Sequence, residues 1–232
     1  MSRQVSRGDE ALNDCDAPEQ PVWDVATRVF HWLLALLIAF SWWSVHNHHT
    51  DWHIWSGCAI LSLLIFRVLW GFLGSSTARF SNFVRGPRSI AGYLRGRGES
   101  LGHNPLGALN VLALIVALLV QVGLGLVSED RDGIYFGPLA QLVSTDMSDK
   151  ARDIHELWFN VIAALIALHL AAILYYRLRG RRLTLSMITG RARLEPGIVP
   201  MRPGKWWIAL ICVALAIGTT RWIIAGIPPF GP

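Results

Sequence analysis

Five apolar runs set the terms for this chain, because each is about as long as the ~20 residues a helix needs to cross ~30 Å of hydrocarbon. They are Val29 to Val45, Trp52 to Leu73, Leu106 to Val127, Ile154 to Tyr176 and Trp206 to Ile227. Composition points the same way: of 232 residues 53% are hydrophobic and 16% charged, with mean hydropathy +0.39. That balance suits a bilayer better than water. Of the 11 tryptophans, Trp42, Trp43, Trp52, Trp55, Trp70, Trp206 and Trp207 stand at the edges of these runs, where an amphipathic ring fits the headgroup boundary. The expected fold is an all-α integral membrane protein.

A net charge of +5 and a pI near 9.6 might call nucleic acid to mind, but the basic residues are confined to particular loops rather than spread along one face. No nucleic-acid partner is expected. The loop from Gly74 to Pro105 carries Arg79, Arg85, Arg88, Arg95 and Arg97 against Glu99. The loop from Arg177 to Lys205, two crossings later, carries Arg177, Arg179, Arg181, Arg182, Arg191, Arg193, Arg202 and Lys205 against Glu195. Both are therefore expected on the cytoplasmic side. Between them, Ser128 to Asp153 holds Glu129, Asp130, Asp132, Asp146, Asp149 and Asp153, and belongs outside, as does the link from His46 to Asp51. The N-terminus is then cytoplasmic and the C-terminus periplasmic.

Residues 1–21 are polar and lack the basic-then-apolar pattern of a signal peptide, so the first span is expected to direct insertion. Cys15, Cys58 and Cys212 lie far apart, without a C-x-x-C pair or a C-x-x-C-H attachment motif, which sets aside thiol, zinc and covalent-haem chemistry. No repeat or low-complexity tract interrupts the chain. The expected organisation is a polar segment over 1–21, a core domain over 22–193, and a linker with a further span over 194–232.

Eight histidines need an account, since an ionisable group at membrane depth is costly and marks function by default. His31 falls near the cytoplasmic end of the first span and His53 near the outer end of the second. His155 and His169 fall at the outer end and in the cytoplasmic half of the fourth. The 14 residues from His155 to His169 amount to about 21 Å of rise and fall about 40° short of whole turns, so both rings leave one face at two depths. Depth pairs His31 with His169 and His53 with His155. One imidazole from each of two facing helices is the ligand set of a haem iron, so two haems are expected. A competing assignment uses His46 in place of His53. The cluster of His46, His48 and His49 beside Asp51 reads either as an outward metal site or as a solvated loop, and His103 either as a proton-exchanging group or as part of a helix cap with Asn104.

Arg28, three residues before His31, and Arg67, inside an apolar run, lie near the cytoplasmic ends of their helices. Each reads either as a partner of a haem propionate or as a snorkelling cation reaching lipid phosphate. Arg79 and Arg88 are loop residues with weaker claims.

The motifs Trp23-Asp24 with Thr27-Arg28-Val-Phe-His31-Trp32, Trp52-His53-Ile-Trp-Ser-Gly57, Phe66-Arg67-Val-Leu-Trp70-Gly71, Gly102-His103-Asn-Pro-Leu-Gly107 and Met187-Ile-Thr-Gly190-Arg together resemble the bacterial cytochrome b561 and nickel-iron hydrogenase b-type cytochrome family, in its stand-alone branch. The resemblance covers roughly residues 22 to 193. It implies a four-helix transmembrane bundle with two b haems on His31, His53, His155 and His169, in the bacterial cytoplasmic (inner) membrane. It also implies electron transfer between the quinone pool and a periplasmic redox partner such as a c-type cytochrome. The fifth span after Lys205 departs from the family pattern. Two other activities seen among relatives, superoxide oxidation linked to quinone and the membrane anchor of a hydrogenase, are rival expectations, with a non-redox membrane protein behind them.

The charge asymmetry makes a prediction about topology. Alkaline phosphatase fused within 128–153 should be active, and a fluorescent protein fused within 177–205 should fluoresce. The reverse pattern would invert every assignment of side.

Overall fold

The computed structural model of the chain describes residues 19–83, 105–194 and 199–226. His103, Cys15, Arg85, Arg88, Arg95, Arg97, Glu99 and Glu195 lie outside the described residues, as do most of 1–21 and the extreme C-terminus.

Asp24 starts the first long helix, α1 (Val25–His46), by accepting the Thr27 amide at 2.8 Å and the Thr27 hydroxyl at 2.8 Å. A carboxylate there satisfies amides that the first turn leaves unpaired. The chain then turns through His48, whose φ of 60° marks a tight reversal, into α2 (Thr50–Leu73). A short α3 (Phe80–Phe83) follows, then α4 (Pro105–Val127), α5 (Thr145–Leu178), a short α6 (Leu183–Thr189) and α7 (Trp206–Ile224). α1, α2, α4, α5 and α7 are long and apolar enough to cross a membrane. The chain is a multi-pass membrane protein, as its apolar runs led one to expect.

α5 differs from expectation in length. Its 34 residues span about 51 Å, well beyond the hydrocarbon core, so its first turns stand clear of the bilayer. Ser144 caps it through the Met147 amide at 3.3 Å. Lys150 pairs with Asp146 at 2.6 Å, and Arg152 with Asp149 at 2.7 Å, one turn apart. Residues expected as loop are therefore helix, because helical spacing of opposite charges supports a polar extension that an apolar-run criterion overlooks.

Packing makes α2 the hub. It lies against α1, α4 and α7, and α4 lies against α5. Ile60, Leu61 and Leu64 of α2, Ala117, Leu118 and Val122 of α4, and Ile162 of α5 form the mid-membrane core. α7 joins through a strip of small side chains, Cys212, Ala216 and Thr220, each buried. Small residues four apart let two helices approach closely in lipid, and Ser62 of α2 donates across the contact to the Thr220 hydroxyl at 2.9 Å. Neither α1 nor α2 packs in this manner on α5.

One end of the bundle holds the N-terminal segment, the loop after α2, α6 and the approach to α7; the acidic loop before α5 marks the other. At the basic end, β1 (Gln20–Pro21) pairs antiparallel with β2 (Arg191–Ala192). Gly190 ends α6 in the left-handed region, at φ 81°, with its carbonyl accepting the Val22 and Trp23 amides. A side chain there would strike the Trp23 carbonyl, so glycine suits both the turn and the close approach.

At this end Trp70 departs from the sequence expectation, and Arg67 departs from the snorkelling one of its two readings. Trp70, expected at the headgroup boundary, is only 2% exposed. It stacks on Phe66 and lies against Gly74 and Gly204, because the segment before α7 is sewn over it by hydrogen bonds between Ser76 and Arg202. Arg67 is 3% exposed and does not snorkel. Its guanidinium lies 4.8 Å from the centre of the Phe80 ring and interacts electrostatically with Asp24, which also accepts the Ser75 hydroxyl.

Asp24 thus caps α1 and offsets a buried cation. Asp24→Asn keeps the cap and removes the charge, so it should cost on the order of 3 kcal/mol through Arg67. Asp24→Ala should cost about 1 kcal/mol more. Thermal unfolding in detergent reads both, and equal stabilities of Asp24→Asn and the parent would remove the charge from this account.

Candidate functional site

At the acidic end, His53 projects from the second turn of α2 toward α1, and its Nδ1 lies 3.0 Å from the Ser41 carbonyl oxygen and 3.0 Å from the Ser41 hydroxyl. His155, on the membrane-entering part of α5, places Nδ1 2.9 Å from the Gln121 carbonyl of α4. A carbonyl only accepts, so Nδ1 carries the proton in both rings and Nε2 keeps its lone pair free. This is the outer-shell arrangement that orients metal-binding imidazoles. The two rings face each other at 5.9 Å between centres, 88° apart in plane. They border a cavity of about 280 Å³ whose other walls include Ser41, Gly57, Gly125 and Ile162.

Gly125 lets His155 reach its carbonyl: an added Cβ would lie 3.0 Å from the ring. Gly57, which faces the cavity from α2, would meet nothing within 4 Å. The absence of a side chain therefore keeps open space beside His53.

At the basic end, His31 of α1 and His169 of α5 stand 6.4 Å apart between ring centres, with planes at 50°. A metal–nitrogen bond of about 2 Å, with the nitrogen roughly 1 Å from its ring centre, puts two imidazoles on opposite sides of one metal about 6 Å apart. Both pairs meet that requirement. The His31 Nδ1 is buried and has no hydrogen-bond partner among the described residues.

Between the levels sits Ile162, seven residues from each α5 histidine and 1% exposed. Spacing of seven keeps His155, Ile162 and His169 on one stripe. The isoleucine presses that stripe onto α2 and α4 midway, while Trp158 donates to the Ala117 carbonyl at 3.0 Å. Sequence reading found the histidines but missed Ile162, Ser41, Gln121 and Gly125. The heptad in α5 was a usable signal for the first. Ser41 and Gln121 act through backbone carbonyls, which side-chain identity does not encode.

Arg28 and Trp32 flank His31 on α1 and grip the turn after α6. Arg28 donates to the Ile188 carbonyl and Trp32 to the Met187 carbonyl at 3.4 Å. Two of the motifs read in sequence are thus halves of one contact. His46 lies on Trp42, donating through Nδ1 to the Trp42 carbonyl at 2.8 Å, and His49 stacks on Trp52 at 4.4 Å. The ring facing His155 is that of His53, and among the described residues no group of three potential ligands gathers as a metal site.

Five spans and paired imidazoles at two depths define a membrane protein of the haem-binding bundle class. The family model described as prokaryotic cytochrome b561 matches residues 22–190, and the chain belongs to that family. It is accordingly a b-type membrane cytochrome that binds haem b and carries electrons. α7 lies beyond the matched region. No curated protein and no solved structure matches the chain.

Proposed function

We propose that the chain is a di-haem b-type cytochrome of the bacterial cytoplasmic (inner) membrane, passing electrons between the quinone pool and a periplasmic redox protein such as a c-type cytochrome. The observation that carries this reading is the pair of histidine contacts, at 6.4 and 5.9 Å, at opposite ends of one α5 stripe. In this reading His31 with His169, and His53 with His155, would hold the two haem irons. When bound, each haem supplies a one-electron ferric/ferrous couple. The chain's own part is to fix ring orientation through the Ser41 and Gln121 carbonyls and to keep water from the middle of the bundle with the Ile162 layer.

Arg28, one helical turn from His31 and partly exposed, is proposed as the propionate partner at the basic end. Arg67 is the weaker candidate, since Asp24 already offsets its charge. The positive-inside rule supports a cytoplasmic N-terminus and a periplasmic C-terminus. The domain division at 22–193 follows the extent of the bundle motifs, with α7 as an added span.

An acidic periplasmic end suits a basic partner. Arg131, Lys150 and Arg152 each pair with a carboxylate, as in Arg131 with Glu156 at 3.2 Å, so the three cations of this loop are already engaged. That disfavours superoxide as substrate, because an anion needs a positive entry.

Purified protein should hold two haems by pyridine haemochrome assay, and each of the His31→Ala, His53→Ala, His155→Ala and His169→Ala variants should hold one. Four variants with unchanged haem content would end the ligand assignment. Electron exchange with a basic cytochrome c should slow as salt rises from low to physiological ionic strength; a salt-independent rate would remove the acidic end as the docking face.

A further inference from the structure

The two histidine pairs are held differently. At the acidic end both rings donate Nδ1–H to a backbone carbonyl, His53 to Ser41 and His155 to Gln121. At the basic end His31 Nδ1 is buried without a partner among the described residues. A hydrogen bond from Nδ1 to a carbonyl raises the basicity of the opposite nitrogen and makes the imidazole a stronger donor to a metal. Stronger donation favours the ferric over the ferrous state and lowers the reduction potential of the site.

Charge acts in the same direction. Glu156 borders the cavity shared by His53 and His155, although Arg131 at 3.2 Å and substantial exposure of both side chains reduce its influence. At the basic end Arg28 lies one turn from His31 on α1. A nearby anion favours the more positive ferric iron, and a nearby cation disfavours it.

We propose that the Ser41 and Gln121 carbonyls, the latter reached because position 125 is glycine, are positioning groups that make the His53/His155 site the more reducing of the two. This rests on the ligand assignment proposed above. With haem held by each pair, electron transfer from the His53/His155 site to the His31/His169 site would be the downhill direction. No bond is made or broken, and neither ligand gains or loses a proton. The intrinsic direction of the wire is from the acidic end to the basic end, toward an oxidant such as a quinone drawing electrons from the His31/His169 site.

Potentiometric titration of haem absorbance tests the order of the sites. The parent protein should titrate in two steps. His53→Ala should lose the lower-potential step and His31→Ala the higher. Gly125→Ala, which crowds the His155 ring, should raise the lower step and leave the higher in place. Replacement of His53 by Nδ-methylhistidine, which keeps Nε2 but has no Nδ1–H, should do the same, and it decides the matter if Gly125→Ala fails to load haem. A role confined to folding would lower haem occupancy without moving a potential. The proposal is overturned if His53→Ala loses the higher step, or if the methylhistidine protein keeps the lower step where the parent has it. Variants of His31 and His53 that each retain both steps would instead refute the ligand assignment.

Discussion

An imidazole carried into a bilayer has two nitrogens to account for, and that requirement organises this bundle. A polar group in a medium without water is costly until it is bonded. At the acidic end the neighbouring helix supplies one bond to each ring, Ser41 of α1 for His53 and Gln121 of α4 for His155. The second nitrogen of each ring is left without a backbone partner among the described residues, with the other ring 5.9 Å away between centres. Each of these histidines is thus steadied by a neighbouring helix, His53 of α2 by α1 and His155 of α5 by α4, and a cavity lies beside the two rings.

How much of this the sequence disclosed follows from what each interaction depends on. Hydrophobic runs and charge bias depend on composition, so the five spans and their alternating direction were legible. The depth pairing of His31 with His169 and of His53 with His155 depends only on helix rise, and the rings indeed meet in those pairs. The early start of α5 was hidden because its extension is polar, joined by ion pairs one turn apart and anchored by the buried Ser148 on the Val127 carbonyl, none of which an apolar run reports. Trp70 was misplaced because the chain folds back over the basic end of α2, and nothing local announces a cover supplied by residues more than a hundred positions away.

That cover also explains why the motifs at the basic end occur together. The Thr-Arg-Val-Phe-His-Trp segment and the Met-Ile-Thr-Gly-Arg segment meet through Arg28 and Trp32 on the carbonyls of Ile188 and Met187. Those carbonyls belong to the last turn of α6, where unpaired oxygens and the negative end of the helix dipole favour a cation. His31 stands between the two gripping residues on α1, so the contact that closes the end of the bundle also fixes the height of this histidine. Structural and functional readings of Arg28 are compatible, because one guanidinium has five N–H donors and the carbonyl bond engages one nitrogen.

The distribution of burial points to coupling between cofactor and fold. In the apolar window of α2, 44% of residues are buried, but in that of α5 only 6% are. The helix that carries two of the four histidines is the one least enclosed by protein, held chiefly by α4 and the Ile162 contact. A ligand that binds the folded arrangement and not the unfolded one stabilises it in proportion to its affinity. In the proposed ligand assignment, haem bridging α1 to α5 and α2 to α5 would add to the contacts of α5, whereas α7, bonded to α2 through Thr220 and Ser62, steadies the hub. The added span therefore bears on the rigidity of α2, and the placing of α5 rests on α4 and, in the proposed reading, on bound haem.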